Sequence, residues 1–308
     1  MSKLFLFITP TLRTMGGSIL YVSAKTNMLR RDGWTVAALT IEDYFWNDLD
    51  RPINVDKEFS FYELEYDPVS FSKARCDSKC EPLITYMDSF ESCVIESHFP
   101  NAAIWGEYIA GKVGAKHIIF LINERYETPD RNNLLFYEHK LKRGELSCIQ
   151  RNGLKEALRG SDLNGLIAST PILNAFGAED CIADVDYDFK YLPAESSYDC
   201  VIGSIGRLDK DFVFAMIDSI SAYAANNVDT SFFVCLIGDS KDDRRINRIE
   251  SVLGSCPNIT FQITGVMSPV PYELVSSWDI GIGSAGAACA LAQCGVPTIK
   301  YSADGKPM

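Results

Sequence analysis

Short, continuous apolar runs recur along the chain, and amphipathic stretches separate them. A first series occupies residues 4–9, 34–40, 59–65, 93–97, 117–123 and 165–169, and a second occupies 201–205, 232–237, 259–263, 279–282 and 298–301. The stretches between them, such as 19–31, 212–225, 244–253 and 287–293, have the amphipathic pattern of helices. Uninterrupted apolar runs are typical of strands buried on both faces. Their alternation with helices predicts an α/β fold with parallel sheets flanked by helices.

The two series of predicted strands indicate two domains. The chain has 308 residues, and a domain usually takes about 150. Residues 192–197 are polar, contain Pro193 and have the character of a linker. We therefore predict two doubly wound lobes with a cleft between them, 1–195 and 196–308. Residues 127–159 are charged and predicted to be helical, with a loop at 130–133.

Acidic residues outnumber basic ones, 41 Asp and Glu against 29 Lys and Arg, which gives a formal net charge of −12. This negative net charge argues against nucleic acid as a partner and against general binding to anionic lipid, since both require a basic surface. An anionic ligand would need cations concentrated at one place. Residues 4–8 are too short for a signal-peptide core, and no apolar stretch of about 18 residues is present, so we expect a cytoplasmic protein.

The ten cysteines do not have the spacing of a zinc site. Cys76 and Cys80 form the closest pair, and neither a second pair nor a histidine couple follows at finger-like spacing. The chain has three histidines, which limits metal and imidazole chemistry. We expect reduced, mostly buried thiols and no metal.

The loop after the first predicted strand carries paired glycines, Gly16 and Gly17, just before a predicted helix. Glycines at such a turn let a ligand approach the backbone, and the N-terminus of the helix offers N–H groups to an anion. The alternative is a tight turn that binds nothing.

Two motifs of the second series also suit an anion. Arg207 and Lys210 follow the strand 201–205, at the end where ligands bind in such sheets, and together they would neutralise a diphosphate. The alternative is a pair of solvated side chains on an ordinary loop. Residues 281–286 match a dinucleotide fingerprint, but too late in their domain for a nicotinamide or flavin site. Gly283 and Ser284, which open the next helix, remain candidates for anion binding.

In their order, these elements resemble the retaining glycosyltransferases of the two-lobed GT-B type, the group 1 or glycogen-synthase-like family. The likeness spans nearly the whole chain. It rests on Met15-Gly16-Gly17-Ser18, Arg31-Asp32-Gly33-Trp34-Thr35-Val36, Ile95-Glu96-Ser97-His98, Ile205-Gly206-Arg207-Leu208, the strands at 233–239 and 259–265, and Gln293-Cys294-Gly295-Val296-Pro297-Thr298-Ile299.

The resemblance implies two Rossmann-like lobes that transfer a sugar from a nucleotide-sugar donor to a glycan or lipid-linked acceptor. It implies no cofactor and no metal, because cations and a helix N-terminus hold the diphosphate. Gly16 and Gly17 would approach donor and acceptor, His98 would contact the donor sugar, and Arg207 with Lys210 would stabilise the leaving group. For His98 the alternative is a neutral histidine in the core. A lipid-linked acceptor would bring peripheral membrane contact, and the oligomeric state stays open.

The chain also departs from the family pattern. Two glutamates expected before Gly295 correspond to Ile282 and Ala290, which cannot accept a hydrogen bond from a hydroxyl. The chain ends soon after the strand that follows Pro297, so we expect a shortened second lobe. Two alternatives therefore stand beside the transferase: a catalytically silent GT-B-like partner or scaffold, and a nucleotide-sugar epimerase on the same fold.

Overall fold

A computed structural model of the chain describes residues 2–13, 17–43, 53–122, 129–172, 182–185, 198–267, 269–302 and 305–307. The chain divides into two compact units, residues 1–14 with 21–175 and residues 15–20 with 176–308. Each unit is built on its own parallel sheet.

The first sheet has six strands, β1 (Lys3–Ile8), β2 (Thr35–Thr40), β3 (Lys57–Ser60), β4 (Ser92–Ser97), β5 (Lys116–Leu121) and β6 (Leu146–Cys148). They lie in the order β3-β2-β1-β4-β5-β6. The helices of this part of the chain are α1 (Gly17–Arg31), α2 (Lys73–Met87), α3 (Pro100–Val113), α4 (Arg131–Lys142), α5 (Arg151–Ala157) and α6 (Asn164–Ser169). Two short 3₁₀ helices, Tyr62–Glu65 and Pro68–Ser70, follow β3.

The central strand β1 is buried on both of its faces. Leu4, Leu6 and Ile8 belong to one core cluster, which also contains Trp105 of α3. Phe5 and Phe7 alternate with them and face the opposite side. The uninterrupted apolar run of β1 therefore reflects two covered faces.

The second sheet has five strands, β8 (Cys200–Ile205), β9 (Phe232–Ile237), β10 (Ile259–Gly265), β12 (Ile280–Ser284) and β13 (Thr298–Tyr301). Their order is β10-β9-β8-β12-β13. Its helices are α7 (Asp211–Asn226), α8 (Asp243–Gly254), α9 (Tyr272–Ser276) and α10 (Ala285–Gln293). Two two-residue strands, β7 (Ile182–Ala183) and β11 (Val270–Pro271), pair with each other in parallel.

These sheets confirm the predicted α/β class with two Rossmann-like, doubly wound sheets. The predicted linker at 192–197 and the boundary at residue 195 lie outside the described residues and stay predictions. None of the helices in the described ranges is long and apolar enough to cross a membrane. The nine cysteines in those ranges are free thiols, and five of them are buried.

The predicted strand at 165–169 is wrong, because this segment forms α6. Ile167 and Thr170 are buried, three residues apart, while the positions between and before them are exposed. This is helical spacing, and a short apolar run does not distinguish a buried strand from one face of a helix. The sixth strand of the sheet is β6, a three-residue strand inside the segment predicted to be helical.

Two further boundaries differ from prediction. The strand predicted at 59–65 ends at Ser60, and a 3₁₀ helix places Glu63 in a buried position, where Arg75 Nη2 lies 2.7 Å from its carboxylate. The predicted loop at 130–133 is the start of α4. Asp130 is the N-cap residue of that helix and accepts a hydrogen bond of 2.8 Å from the backbone N–H of Asn133.

Candidate functional site

The order of the first sheet places a ligand crevice beside its central strand. Successive strands run outward from β1 on one side and from β4 on the other, so the loops that follow these two strands leave toward opposite faces. Ligands of open α/β sheets bind at such a switch point, at the carboxyl ends of the strands. The loop that leads to Gly16 and Gly17 follows β1, and His98 follows β4. Gly16 lies outside the described residues, and Gly17 is the first residue of α1.

His98 is packed tightly, with 1% of its side chain exposed. Its backbone N–H donates to the carbonyl of Ile8 at 3.1 Å, which extends the pairing of β1 with β4. The imidazole ring lies 5.8 Å from the ring of Phe7, 5.6 Å from that of Tyr21 and 6.2 Å from that of Phe120. Its Nε2 lies 3.1 Å from Oε1 of Glu96. His98 is thus packed like a core residue. It nevertheless follows β4 directly, at the end of the strand where ligands of such sheets bind.

Glu96 lies near the carboxyl end of β4, the edge of the sheet that also carries His98, and 2% of its side chain is exposed. Tyr21 Oη donates to Oε1 at 2.8 Å, and Lys25 Nζ donates to Oε2. Burial alone would raise the pKa of Glu96, but the hydrogen bond with His98 and the charge of Lys25 lower it below its ordinary value. Burial and the charge of Glu96 raise the pKa of Tyr21, so its hydroxyl remains a donor.

Two buried polar atoms of this edge have no hydrogen-bond partner among the described residues, His98 Nδ1 and Thr9 Oγ1. Thr9 follows β1 directly, and strand alternation places it on the same face as Phe7, whose ring contacts His98. Buried polar atoms are almost always paired in folded proteins. Two such atoms at a switch point therefore indicate a site for a ligand's polar group.

A second network at the end of β4 has the residue types of a hydrolase triad, with Ser97 and His117 buried and 40% of the Glu107 side chain exposed. Ser97 Oγ lies 3.0 Å from His117 Nε2, and His117 Nδ1 lies 2.8 Å from Glu107 Oε2. The Ser97 hydroxyl is fully buried and donates to the carbonyl of Ala102 at 3.0 Å. Lys140 Nζ lies 2.5 Å from the same Glu107 oxygen. This network connects β4, α3, β5 and α4.

The second sheet has an equivalent switch point between β8 and β12. Arg207 follows β8, and its Nε donates to Asp209 Oδ1 at 3.0 Å. This ion pair is accessible, since 43% of the Arg207 side chain is exposed. Lys210 is the N-cap residue of α7. The predicted cations therefore lie on the loop that follows β8, at the carboxyl end of that strand.

Glycines let the loops of this edge pass in close contact. Gly238, with φ of 149°, follows β9, and a Cβ at this position would lie 1.9 Å from the carbonyl oxygen of Gly206. The backbone N–H of Gly206 donates to Ile237 at 2.9 Å, and that of Leu208 donates to Asp239 at 2.9 Å. The loop that carries Arg207 is thus fixed by backbone hydrogen bonds to its neighbour.

Gly283 and Ser284 end β12, next to β8 in the sheet. A Cβ at Gly283 would lie 3.0 Å from the backbone nitrogen of Ala288, so glycine lets α10 pack close to the strand. Ser284 is the N-cap residue of α10, and its side chain makes no capping hydrogen bond. Ala285 follows with a φ of 46°, a left-handed conformation that non-glycine residues rarely adopt outside constrained sites.

The positions of the expected glutamates are apolar and buried. Ile282 is 5% exposed in β12, and Ala290 is 3% exposed in α10. Both belong to core clusters of the second unit. Their side chains stabilise the unit by packing and offer no polar contact to a ligand.

A separate cavity of about 540 Å³ lies between α5 and α6 in the first unit. Its lining includes Arg151, Lys155 and Arg159, spaced four residues apart, together with Ser161 and Asn164. Arg151 Nη1 donates to the carbonyl of Ile167 at 2.6 Å. No cluster of three His, Cys, Asp or Glu side chains able to hold a metal ion occurs in the described ranges.

Sequence reasoning missed Glu96, Tyr21, Lys25 and Thr9. The signal for Glu96 was present, because a carboxylate inside a buried strand must be paired. Tyr21 and Lys25 are four residues apart on α1, the spacing of two side chains on one helix face. Nothing in the sequence indicates that this face meets β4.

No family model and no curated protein matches this sequence. Among solved structures, a glycosyltransferase from Rickettsia africae matches with a TM-score of 0.66 and 14% identity, over 99% of this chain and 80% of that one. The Anabaena protein HepE in complex with UDP and glucose matches with a TM-score of 0.63 and 12% identity, over 98% and 81%. A putative UDP-N-acetylglucosamine 2-epimerase from Listeria monocytogenes matches with a TM-score of 0.55 and 9% identity, over 98% and 79%. These likenesses show that the chain has the fold of the GT-B glycosyltransferases.

Proposed function

We propose that the chain transfers a sugar from a nucleotide-sugar donor to a glycan or lipid-linked acceptor. The observation that carries this proposal is the position of the predicted residues. Arg207, Lys210, Gly283 and Ser284 border the switch point of the second sheet, and His98 borders that of the first. In open α/β sheets this edge is the ligand-binding edge. The same fold in HepE binds UDP and glucose, which supports a nucleotide-sugar donor.

In this proposal the second unit holds the donor diphosphate. Arg207 exchanges its accessible ion pair with Asp209 for a phosphate oxygen, and because such surface pairs contribute about 0–1 kcal/mol, the exchange costs little. Lys210 adds a second positive charge, and the backbone N–H groups at the start of α10 face the anion. These groups stabilise the charge that develops on the leaving diphosphate.

The reaction proposed is metal-independent and retaining. The acceptor hydroxyl attacks the sugar on the face from which the diphosphate leaves, and the leaving phosphate takes the proton of that hydroxyl. His98 contacts the sugar. Since Ile282 and Ala290 are buried and apolar, contacts to the sugar and ribose must come from other groups, which predicts weaker or different donor selectivity.

The cavity between α5 and α6 favours a phosphate-bearing acceptor, such as a lipid-linked one. Three cations line it, of which Arg151 also donates to the carbonyls of Ile167, Ala168 and Thr170, although the whole chain carries a net charge of −12. Residues 130–172 contain seven Lys and Arg against five Asp and Glu. Concentrated positive charge in an acidic protein suits an anionic partner.

Calorimetric titration with nucleoside diphosphates tests the donor site. Replacing Arg207 by Ala should weaken binding by about 1.5–3 kcal/mol, the effect of losing a charge-assisted hydrogen bond. Arg244→Ala is the matched control, because Arg244 lies in the same unit, is 90% exposed and pairs with its own neighbour, Asp242. Equal affinity of the wild type and Arg207→Ala would exclude this loop as the donor site. No binding of any nucleoside diphosphate would contradict the enzyme and favour the silent partner.

A nucleotide-sugar epimerase is the second candidate, and the fold shared with the Listeria protein favours it. An epimerase changes the donor in the absence of any acceptor. Incubating the protein with a nucleotide sugar alone, followed by chromatography of the sugar, distinguishes the two activities. A new epimer would support this candidate over the transferase.

A further inference from the structure

Glu96 is a buried carboxylate in a strand of otherwise small and apolar residues, and such a group is stable only when it is fully paired. Lys25 balances its charge, and Tyr21 Oη donates to one of its oxygens. These are the titratable groups that α1 presents to it. His98, two residues along the chain, is the third donor.

The chemistry of a carboxylate decides which nitrogen of His98 carries hydrogen. An ionised carboxylate only accepts hydrogen bonds, so His98 Nε2, which lies 3.1 Å from Glu96 Oε1, must be the N–H donor. In the neutral ring, Nδ1 is then left with a lone pair and acts as an acceptor. This atom has no partner among the described residues, and neither has Thr9 Oγ1, which follows β1.

We propose that Glu96 is a positioning residue, which holds His98 in the Nε2–H form so that Nδ1 accepts a hydrogen bond from a hydroxyl group of the bound sugar. The identity of the ligand rests on the proposed function, whereas the state of the ring does not. Lys25 gives the carboxylate its lasting negative charge, and Tyr21 fixes its orientation. Because Tyr21 and Lys25 lie on α1, they connect the helix that follows the glycine loop to the ring.

Glu96→Gln changes this arrangement in a predictable direction. Lys25 requires an oxygen acceptor, so the amide oxygen should face Lys25 and the amide NH₂ should face Tyr21 and His98. Nε2 would then become the acceptor, and the proton would move to Nδ1. The side chain keeps nearly the same shape, so the ring remains in place while its tautomer changes.

Nitrogen-15 NMR of the histidine rings at pH 8 tests this directly, since most histidines are neutral there. The chain has three histidines, so single substitutions assign each ring. We expect Nε2–H at His98 in the wild type and Nδ1–H in Glu96→Gln. The matched control is Glu107→Gln, which removes the carboxylate beside His117 and should change only the His117 signals. An Nδ1–H ring in the wild type, or no change in Glu96→Gln, overturns the proposal.

If Glu96→Gln does not fold, the wild-type spectrum still decides. An Nε2–H ring at His98 supports the proposal, and an Nδ1–H ring overturns it.

A second titration, with UDP-glucose in the wild type, tests the ligand. A shift of the His98 Nδ1 resonance toward a hydrogen-bonded acceptor supports the contact with a sugar hydroxyl. Binding without this shift overturns the contact. A wild-type Nε2–H ring that switches in Glu96→Gln, in a protein that binds no nucleotide sugar, supports the positioning role and contradicts the proposed function.

Discussion

The two sheets have the same strand order around their first strands, but they place charge at the ligand edge in opposite ways. At the end of β4, Glu96 is buried and bonded to Lys25, Tyr21 and His98. At the end of β8, Arg207 pairs with Asp209 on an accessible loop. The first edge is therefore organised before any ligand binds, whereas the second can exchange its partners at little cost.

This difference separates two kinds of contribution to a site. A buried charge network fixes the direction of a hydrogen-bonding group, and its loss destabilises the fold. An accessible cation contributes to binding, and its loss leaves the fold intact. The first unit should therefore respond to substitution in its stability and the second in its affinity. One contact in the second unit should instead affect stability, the close approach of Gly238 to the carbonyl of Gly206.

The largest expected effect comes from removing the carboxylate of the first edge. Glu96→Leu takes the carboxylate from Lys25, whose side chain is 16% exposed and keeps the hydroxyl of Tyr21 as a partner. Breaking such a largely buried ion pair costs about 3–5 kcal/mol in the free energy of unfolding. Chemical denaturation, with hydrogen exchange by mass spectrometry to follow each unit separately, measures the loss. The matched control is Asp209→Ala at the second edge, where we expect at most about 1 kcal/mol. Equal effects at the two edges would remove the contrast between them.

The next effect concerns the glycine contact of the second edge. Gly238→Ala places a methyl group against the carbonyl of Gly206 and in a left-handed conformation, so we expect a loss of about 2–3 kcal/mol in the second unit. Weaker binding of nucleoside diphosphates should accompany it, because the Arg207 loop shifts.

The control for this substitution is Gly254→Ala. Gly254 ends α8, and a Cβ there would meet its nearest neighbour, Phe261, at an ordinary 3.8 Å. We expect a neutral or slightly stabilising change at this position. An equal loss of stability in the control, or no loss in Gly238→Ala, would show that the contact between the loops at Gly206 and Gly238 does not depend on glycine.

The smallest effect is a pH dependence in the first unit. The hydrogen bond from His117, with the charge of Lys140, lowers the pKa of Glu107 to about 2 from an ordinary 4.5. A carboxyl group with a lowered folded-state pKa stabilises the fold above its unfolded pKa, so its contribution is lost as the pH falls from about 4.5 to about 2. Because 40% of this side chain is exposed and screened by solvent, we expect less than about 1 kcal/mol.

Thermal unfolding of the wild type and Glu107→Gln between pH 7 and pH 3 measures this contribution. The variant should start less stable at neutral pH and lose less stability on acidification. Parallel curves for the two proteins would contradict the role of Glu107.

Much of the fold could be predicted from the sequence, because strands that are buried on both faces consist of uninterrupted apolar residues. Residues 232–237 and 298–301 were predicted with the bounds that the structure shows. The failures have a physical cause. Ile167 stands in an apolar run short enough to suit either a strand or one face of a helix, and β6 has three residues, too few to produce a periodic pattern.

The site could be predicted only in part. Arg207 and Ser284 follow strands directly, so the sequence places them at an edge as soon as the strands are known. Two partners of Glu96, Tyr21 and Lys25, come from α1, whose packing depends on the tertiary fold. Glu96 was the one member of that cluster with a local signal, a charge inside a buried strand.

Hydrogen exchange of the backbone in the presence and absence of UDP tests the central claim most directly. If the second edge holds the donor diphosphate, the loop after β8, residues 206–210, and the start of α10, residues 284–288, will exchange more slowly when UDP is bound. Protection confined to the cavity between α5 and α6, or none at saturating UDP, would contradict the account.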